Sequence, residues 1–567
     1  MKQTKFLGKS HCLSLSPYLT FKTTLIYSAY CALYFLVLNT LNTRQRIKLV
    51  IWIIIFLGFF ESLYGLMQYF SKTYTIFGYE NPFAASATGT FINRNHYGAF
   101  LSLISWLTIG HASIYLSKLW IETETWKERA LVFFSEHAYK AIFLIFAAGI
   151  MVLAIFYSGS RGALINFFCG LIIFFALCVA AGKLSKRVFI IFASLALMLI
   201  CLLLWLGLWP LAYRWLSFFQ NTADVSLLTR QALWSDTWDM VACFPIFGTG
   251  LGTYSKVFPL FQNKIPQHAF AAHAHSDYLE ILSETGIMGI TILGIGVVIL
   301  YLRLIKMTKH LHVNDPDAFF YPAVIAGLSG FLIHCIFEFN AQIPAMIILL
   351  MIILGITEAK MKVIPKISES KKITSPIRQF CALIIIVVLF FSSLISMRIL
   401  MSERALAQAK AEHVKQISDS ERSKILYRLK RAYHHMPINP NLLYKLTQFR
   451  RAGYFSDIEN LSTQETMDLM LNNINKALTF DPLNANYHME LGLLYLRYAK
   501  YQEKYQNNAR YYEYLKKAES ELNLALRYNL HDQTLVNQCM KHLKTIRDIS
   551  REAAIHTKLA PDKNTRG

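Results

Sequence analysis

The stretch "DYLEILSETGIMGITILGIGVVILYL", Asp277–Leu302, decides the fold. It exceeds the roughly 20 residues that an α-helix needs to cross the hydrocarbon core of a bilayer, and its second half is apolar. Its first half carries Asp277, Glu280 and Glu284, although ionisable groups in a membrane helix are costly and usually face a protein interior or a water-filled cavity. We therefore predict a transmembrane helix that presents carboxylates to a polar site near one end.

Apolar runs of similar length recur through the first 400 residues, in a chain of 567 residues that is 54% hydrophobic and only 16% charged. These values are typical of an integral membrane protein. The predicted fold class is all-α, with a polytopic transmembrane bundle over residues 1–400 and a soluble α-helical domain over residues 401–567. About ten spans are predicted, near residues 22–40, 48–70, 97–119, 139–158, 162–182, 187–210, 277–302, 318–338, 342–358 and 379–399.

The formal net charge of +22 would suit a nucleic-acid partner, but the position of the cations favours membrane lipids instead. Lysine and arginine concentrate in alternate loops, which should therefore be cytoplasmic. These loops contain Arg44, Arg46 and Lys48; Lys183, Lys186 and Arg187; Arg303, Lys306 and Lys309; and Lys360, Lys362, Lys366, Lys371, Lys372 and Arg378. The other loops, including a large one over residues 211–275, and the C-terminal domain should lie on the outer side. No nucleic-acid partner is expected.

The C-terminal domain contains three similar segments: "RAYHHMPINPNLLYKL", "KALTFDPLNANYHMELGLLY" and "LALRYNLHDQTLVNQC". Each runs from a helix end through a Pro or Asn break into a second helix, with Ala432, Ala477 and Ala525 as markers. This pattern resembles tetratricopeptide hairpins, although the spacing is longer than the roughly 34 residues of that repeat. An unrelated helical bundle is the alternative. Either form would serve as a docking surface for a protein partner or an acceptor.

Two arginines of the outer loops are candidates for binding phosphate. Arg161 lies in "SGSRGAL" at the start of a span, and Arg230 lies in "LLTRQALWSDTW" within the large loop. A guanidinium group keeps its charge and can hold phosphate oxygens with two donors. Together the two arginines would suit a lipid-linked pyrophosphate. The alternative is that each merely extends to lipid headgroups.

The segment "HAHSDYLE" places His273 and His275 directly before the acidic half of the quoted helix. A neutral imidazole beside a carboxylate is a suitable general base near neutral pH. We expect Asp277 to orient the histidine and Glu284 to support the helix. The His-x-His pair with a carboxylate could also bind zinc, but no further ligand cluster is evident, so neither a metal nor another cofactor is expected.

Two other turns contribute polar side chains on the outer side. Asn93, Arg94 and Asn95 in "FINRNHYGAF" suit a sugar hydroxyl or a phosphate, and with His273, Asp277 and Glu284 they complete the predicted substrate-binding set. The asparagines could instead cap the helix that follows. The turn "HCIFEFNAQIPA" brings Glu338 to the outer mouth of the bundle, without an assigned role.

Four motifs in this order, "NRNHYGAFL", "SGSRGALI", the long loop that ends in "GTGLGTY", and "HAHSDYLEILSETGIMG", resemble the O-antigen ligase and polymerase superfamily. The resemblance covers roughly residues 50–355. It implies a metal-independent, inverting glycosyltransferase of the GT-C-like type. Such an enzyme moves a glycan from undecaprenyl pyrophosphate to an acceptor hydroxyl on the periplasmic side of the bacterial inner membrane.

Carried over to this chain, the motif histidine matches His275, and the pyrophosphate-binding arginines match Arg161 and Arg230. Members of the family usually have Asn after the histidine, whereas Ser276 stands here. The acceptor is lipid A core in a ligase, a growing glycan in a polymerase and a hydroxyl of a protein in an O-oligosaccharyltransferase.

The alternatives from another class are a transporter and an envelope scaffold. A transporter should have broken helices with ionisable groups near the bilayer midplane and symmetry between its halves. A scaffold would not require Arg161, Arg230 and His275 to lie together. The position of these three side chains therefore distinguishes the interpretations.

Overall fold

The computed structural model describes residues 14–81, 86–121, 135–183, 225–265, 271–313, 315–363, 376–411, 419–451, 462–504, 508–528 and 532–559, and positions 197, 201 and 506. This part of the chain is almost entirely helical. Residues Thr75–Ile76 and Tyr79–Glu80 form one short antiparallel β-pair, β1 and β2. The α-helices described within the first 411 residues are α1 (Pro17–Thr40), α2 (Arg44–Ser71), α3 (Arg94–Ile121), α4 (Glu136–Ser158), α5 (Arg161–Ala180), α6 (Val225–Cys243), α7 (Tyr254–Val257), α8 (Asp277–His310), α9 (Phe320–His334), α10 (Pro344–Val363) and α11 (Pro376–Ala411).

Within the described residues, six helices are long and apolar enough to cross a membrane: α1, α2, α3, α4, α5 and α8. Helix α9 is also apolar but shorter. The total of about ten spans stays a prediction, and the expected span 187–210 lies almost wholly outside the described residues. A helical membrane domain is nevertheless consistent with these lengths and compositions.

Helix α3 is the central helix of the bundle. In the most apolar stretch of 18 residues of α3, 94% is buried inside the protein. The same share is only 6% in α1 and in α8. Trp106 of α3 is fully buried, and Gly170 of α5 allows it a close approach, since a Cβ at that glycine would lie 2.7 Å from the indole nitrogen. The core thus forms around α3, and α1 and α8 leave apolar surface for lipid.

Three of the cations that predict the cytoplasmic loops, Lys183, Arg303 and Lys360, lie at one end of the bundle. There Lys360 pairs with Asp317 at 2.7 Å, and Arg303 pairs with Glu358 at 2.6 Å. The buried ammonium group of Lys183 donates to a backbone carbonyl beside α9 at the same end. The histidine motif that precedes α8 lies at the opposite end. The structure therefore separates the cationic loops from the candidate site.

Helix α8 is broken at Gly286, where the backbone has φ 64° and ψ −168°. The amide of Ile287 donates to the carbonyl of Pro245 at 2.8 Å, and the carbonyl of Glu284 accepts from the amide of Gly250 at 2.8 Å. The loop over residues 245–253, the glycine loop, therefore satisfies backbone groups that the break leaves unpaired, as a break in a membrane helix requires.

We expect Gly286→Ala to disrupt this break and to lower the thermal unfolding midpoint strongly. A Cβ at residue 286 would lie 2.2 Å from the carbonyl oxygen of Ile246, and the positive φ is itself unfavourable for alanine. Gly294→Ala is the matched control in the same helix, because nothing lies within 4 Å of a Cβ there. The measurement is thermal unfolding of the detergent-solubilised protein. Equal midpoints for the two variants would contradict the assignment.

The described residues of the predicted C-terminal domain form six helices: α12 (Asp419–His435), α13 (Pro440–Arg451), α14 (Thr463–Phe480), α15 (Ala485–Lys504), α16 (Asn508–Tyr528) and α17 (Gln533–Leu559). The marker residues Ala432, Ala477 and Ala525 are all fully buried, as helix-packing positions should be. The relation to tetratricopeptide repeats stays a prediction.

The turn between α14 and α15 contacts the membrane domain. The hydroxyl of Ser16 donates to Asp481 at 3.1 Å, and Lys256 pairs with the same carboxylate at 3.9 Å. Leu483 shares a hydrophobic cluster with Tyr254 and other residues that follow the glycine loop. The C-terminal domain therefore lies at the same end of the bundle as the histidine motif.

Candidate active site

The carboxylate of Glu338 connects three of the residues that the sequence predicts for the site. Its Oε1 accepts from Nδ2 of Asn95 at 2.6 Å and forms an ion pair with Arg230. Its Oε2 lies 3.3 Å from Nδ1 of His275. Asn95 belongs to the first turn of α3, Arg230 to α6 and His275 to the loop before α8. Residues far apart in the sequence thus meet at one buried carboxylate.

Glu338 lies in the turn between α9 and α10, and its side chain is 2% exposed. Burial alone would raise its pKa, but the hydrogen bond with His275 and the charge of Arg230 outweigh burial and lower the pKa to about 2. The group is therefore ionised at neutral pH. An ionised carboxylate can only accept hydrogen bonds, which favours the tautomer of His275 that carries its proton on Nδ1. In that tautomer Nε2 is a proton acceptor.

His275 has a left-handed backbone conformation, with φ 48°. Such a conformation is unfavourable for a residue with a Cβ and persists only where the surroundings enforce it. The indole of Trp234 donates to the carbonyls of Ala274 and His275, at 3.1 and 3.3 Å. The imidazole remains 38% exposed. The loop therefore fixes the ring against Glu338 and leaves part of it accessible.

His273 has a different environment from His275. Its Nδ1 lies 2.9 Å from the carboxylate of Glu280, which also accepts from the loop backbone. The ring stacks on Phe339 with centroids 4.4 Å apart. The same phenyl ring meets His275 edge-on at 4.9 Å and His96 at 4.7 Å. Phe339 thus forms an apolar wall between three imidazoles.

The remaining predicted residues of the outer turns are close to this network. Oδ1 of Asn95 accepts from the hydroxyl of Ser160 at 2.8 Å, and Arg161 follows that serine as the first residue of α5. Asn93 accepts from the amide of Asn95 at 2.8 Å, which agrees with the capping alternative. Arg94 is the first residue of α3. The chain around Arg161 is therefore linked to Glu338 through Ser160 and Asn95.

The carboxylates of Asp277 and Glu284 bind backbone amides. Asp277 is buried, and its carboxylate accepts from the amide of Ala341 at 2.9 Å, so the carboxylate that contacts His275 is Glu338 and the prediction that Asp277 orients the histidine is wrong. Both oxygens of Glu284 accept from amides of the glycine loop region, those of Gly252 and Tyr254, each at 2.8 Å. Asp277 and Glu284 thus hold backbone around the site, and this geometry does not fit the predicted contact with substrate.

Sequence reasoning missed the roles of Glu338, Phe339 and His96. The signal for Glu338 was present, because a carboxylate follows an apolar run in the turn "HCIFEFNAQIPA". His96 adjoins the asparagines of "FINRNHYGAF", and its Nδ1 lies 3.0 Å from Asn340 of the same turn as Glu338. Neither pairing is encoded locally, since more than 200 residues separate the partners.

The region that contains Arg161, Arg230 and His275 also carries the likeness to known proteins. Residues 146–294 match the family model described as O-Antigen ligase. The match extends from within α4 to within α8, and it supports the O-antigen ligase superfamily. No curated protein and no solved structure matches the chain.

The O-antigen ligase match, together with the apolar helices, supports a multi-pass membrane protein with a ligase- or polymerase-type function in O-antigen processing. Such a function implies a lipid-linked glycan as donor and a glycan or lipid as acceptor. Asn95 and Glu338 lie outside the matched region. The structure nevertheless brings Asn95 into contact with Ser160 and Glu338 into contact with Arg230, both residues of the O-antigen ligase match.

Proposed function

We propose that the protein is a glycosyltransferase that moves a glycan from undecaprenyl pyrophosphate to an acceptor hydroxyl. The proposal rests on one observation: His275 and Arg230, both within the O-antigen ligase match, contact the ionised carboxylate of Glu338, which lies outside it. The arrangement combines a proton acceptor with a cation that suits phosphate. Both are needed for transfer from a diphosphate donor.

In the proposed reaction, Nε2 of His275 takes the proton from the acceptor hydroxyl. The oxygen attacks the anomeric carbon, a new glycosidic bond forms, and the bond from that carbon to the diphosphate oxygen breaks. Glu338 stabilises the imidazolium ion that results, as a carboxylate does beside a histidine base. Attack opposite the leaving group inverts the configuration at the anomeric carbon.

The leaving diphosphate is held by Arg161 and Arg230. A guanidinium has five N–H donors, so Arg230 can keep its pair with Glu338 and still donate to a phosphate oxygen. Diphosphate is a good leaving group once its charge is compensated, so the proposal needs neither a metal nor a covalent intermediate. Asn93, Arg94, Asn95 and His273 lie beside the same network and line the approach of the sugar.

We place the site and the C-terminal domain on the periplasmic side of a bacterial inner membrane. The support is that both lie at the end of the bundle opposite the cationic loops. Lipid A core is the proposed acceptor, as in a ligase. A growing glycan or a protein hydroxyl would require the same donor chemistry.

Deletion of the gene, followed by analysis of glycan pools, tests the function and the acceptor together. Full-length lipid-linked polymer with unmodified core indicates a ligase, and core with a single repeat unit indicates a polymerase. An intact lipopolysaccharide ladder with lost protein glycosylation indicates a protein transferase. Glycan pools that stay unchanged on deletion would refute the transferase proposal.

One observation, the break in helix α8 at Gly286, favours the transporter alternative. In a transporter, backbone groups at such a break coordinate an ion or the substrate. Here the backbone groups at the break bind the glycine loop, since the carbonyls of Ser283 and Glu284 accept from the amides of Thr249 and Gly250. The break therefore anchors a loop, and we retain the transferase.

A further inference from the structure

The last predicted span, over residues 379–399, belongs to α11, whose exposed large apolar side chains extend as far as Met401. Within α11, exposed large side chains recur at helical spacing, at Val387, Phe390, Leu394, Met397 and Met401. A stripe of this kind on a predicted membrane helix is suited to contact with lipid chains. The next positions on the same face are Arg404 and Gln408. The face of α11 thus changes from apolar to polar around Met401, with the exposed Arg398 at its border as the first cation.

A groove with a volume of about 830 Å³ begins at this level, between α11 and α12. Its lining includes Met401 from the end of the stripe and Tyr427, which is 66% exposed. Four of its other nine lining residues are cations, Arg404, Lys424, Arg428 and Arg431, and His435 lies at the end of the same row. Among the described residues that line the groove there is no aspartate or glutamate.

Three cations of α12, Lys424, Arg428 and Arg431, are presented on one face of that helix, whereas Lys430 lies on another. Lys424, Arg428, Arg431 and His435 follow one another at intervals of four, three and four residues, which places them in one row. The opposite face is buried with Leu406 of α11, through Ile425, Leu429 and Ala432. Packing between the two helices therefore fixes the row of cations along the groove.

Hydrogen bonds also connect α11 to the start of α1 and to the turn after α12. The hydroxyl of Tyr18 donates to Glu403 at 3.1 Å, and Asn439, in the turn after α12, donates to the hydroxyl of Ser402 at 3.2 Å. The groove is thus part of the junction between the membrane domain and the C-terminal domain.

We propose that this groove binds the headgroup of an anionic phospholipid, with its phosphate between Arg404 and the cations of α12 and its acyl chains along the apolar stripe of α11. The headgroup level is where a lipid-facing helix surface ends, and clustered lysine and arginine at that level attract anionic lipids. Met401 and Tyr427 provide the transition between the two environments, since tyrosine suits the membrane interface. The proposal of a lipid site in this groove is independent of the proposed transfer reaction.

The test uses full-length protein in detergent, mixed with equal amounts of phosphatidylglycerol and phosphatidylcholine and examined by native mass spectrometry. We expect the wild type to retain phosphatidylglycerol preferentially. The variant Arg404→Gln/Lys424→Gln/Arg431→Gln should lose that preference. The control Lys516→Gln/Lys541→Gln/Lys544→Gln removes the same charge from exposed positions of α16 and α17 and should retain it.

Three outcomes would overturn the proposal. The groove variant, shown to be folded by an unchanged unfolding midpoint, could bind as much phosphatidylglycerol as the wild type. Both triple variants could lose the preference equally, in which case net charge alone would explain it. Displacement of the phospholipid by a lipid-linked glycan donor at equal concentration would assign the groove to the substrate path instead.

Discussion

Replacing His275 by alanine is expected to slow glycan transfer by about 10²- to 10⁴-fold, the usual contribution of a general base. The variant should still insert into the membrane and unfold at nearly the wild-type temperature, because the imidazole is partly exposed. The measurement is the single-turnover rate with purified lipid-linked glycan and acceptor. This rate depends on the proposed proton transfer and not on product release.

The matched control is His312→Ala. His312 is an exposed histidine at the end of the bundle that carries the cationic loops, far from Glu338 in the fold. Its loss should leave the transfer rate unchanged. A His275→Ala protein with the wild-type rate would remove the general-base assignment, whatever the result for the control.

Glu338→Gln is expected to have an effect of comparable size, about 10²-fold or more on the transfer rate. The amide keeps the shape of the side chain but cannot stabilise an imidazolium ion, and it offers an N–H donor that favours the wrong tautomer of His275. It also leaves Arg230 without its counter-ion in a largely buried position. We therefore expect the unfolding midpoint to fall together with the transfer rate.

Glu358→Gln provides the control for Glu338→Gln. Glu358 is another buried carboxylate paired with an arginine, Arg303, but at the opposite end of the bundle. Its replacement should affect stability and leave the transfer rate of the folded protein intact. If the two variants were equally active per folded molecule, Glu338 would have only a structural role.

The pH dependence of stability gives an independent readout for Glu338. Its pKa is lowered from 4.5 to about 2, so its contribution to stability is fully present above about pH 4.5 and disappears as the pH falls toward 2. The difference in unfolding free energy between wild type and Glu338→Gln should therefore be constant near neutral pH and shrink in acid. A difference that stays constant down to about pH 3 would contradict the lowered pKa.

Local sequence patterns predicted several of the long apolar helices and some of the residues that meet at the candidate site. Length and hydropathy predicted α2, α4 and α5 close to their observed bounds, because a membrane helix must be long and apolar. Arg230, His275 and Asn95 were identified as charged or polar groups beside apolar runs. The structure brings these three together.

The partners of those residues could not be read from the sequence. Asp277 is the nearest carboxylate to His275 along the chain, but a residue in the first turn of α8 is directed to the turn after α9, where it binds Ala341. Glu338 comes close only because α8 and α9 pack against each other. Likewise, "ETGIMG" contains two glycines, and only the insertion of the glycine loop determines that the helix breaks at Gly286.

Among the polar groups that meet at Glu338, this carboxylate is the last to be synthesised. Asn95, Ser160, Arg230 and His275 all precede Glu338 in the chain, so they leave the ribosome before it. Until α9 is in place, Arg230 lacks its counter-ion and His275 lacks its hydrogen-bond partner. A chain that ends before Glu338 therefore contains Arg230 and His275 but lacks the carboxylate on which the proposed transfer depends.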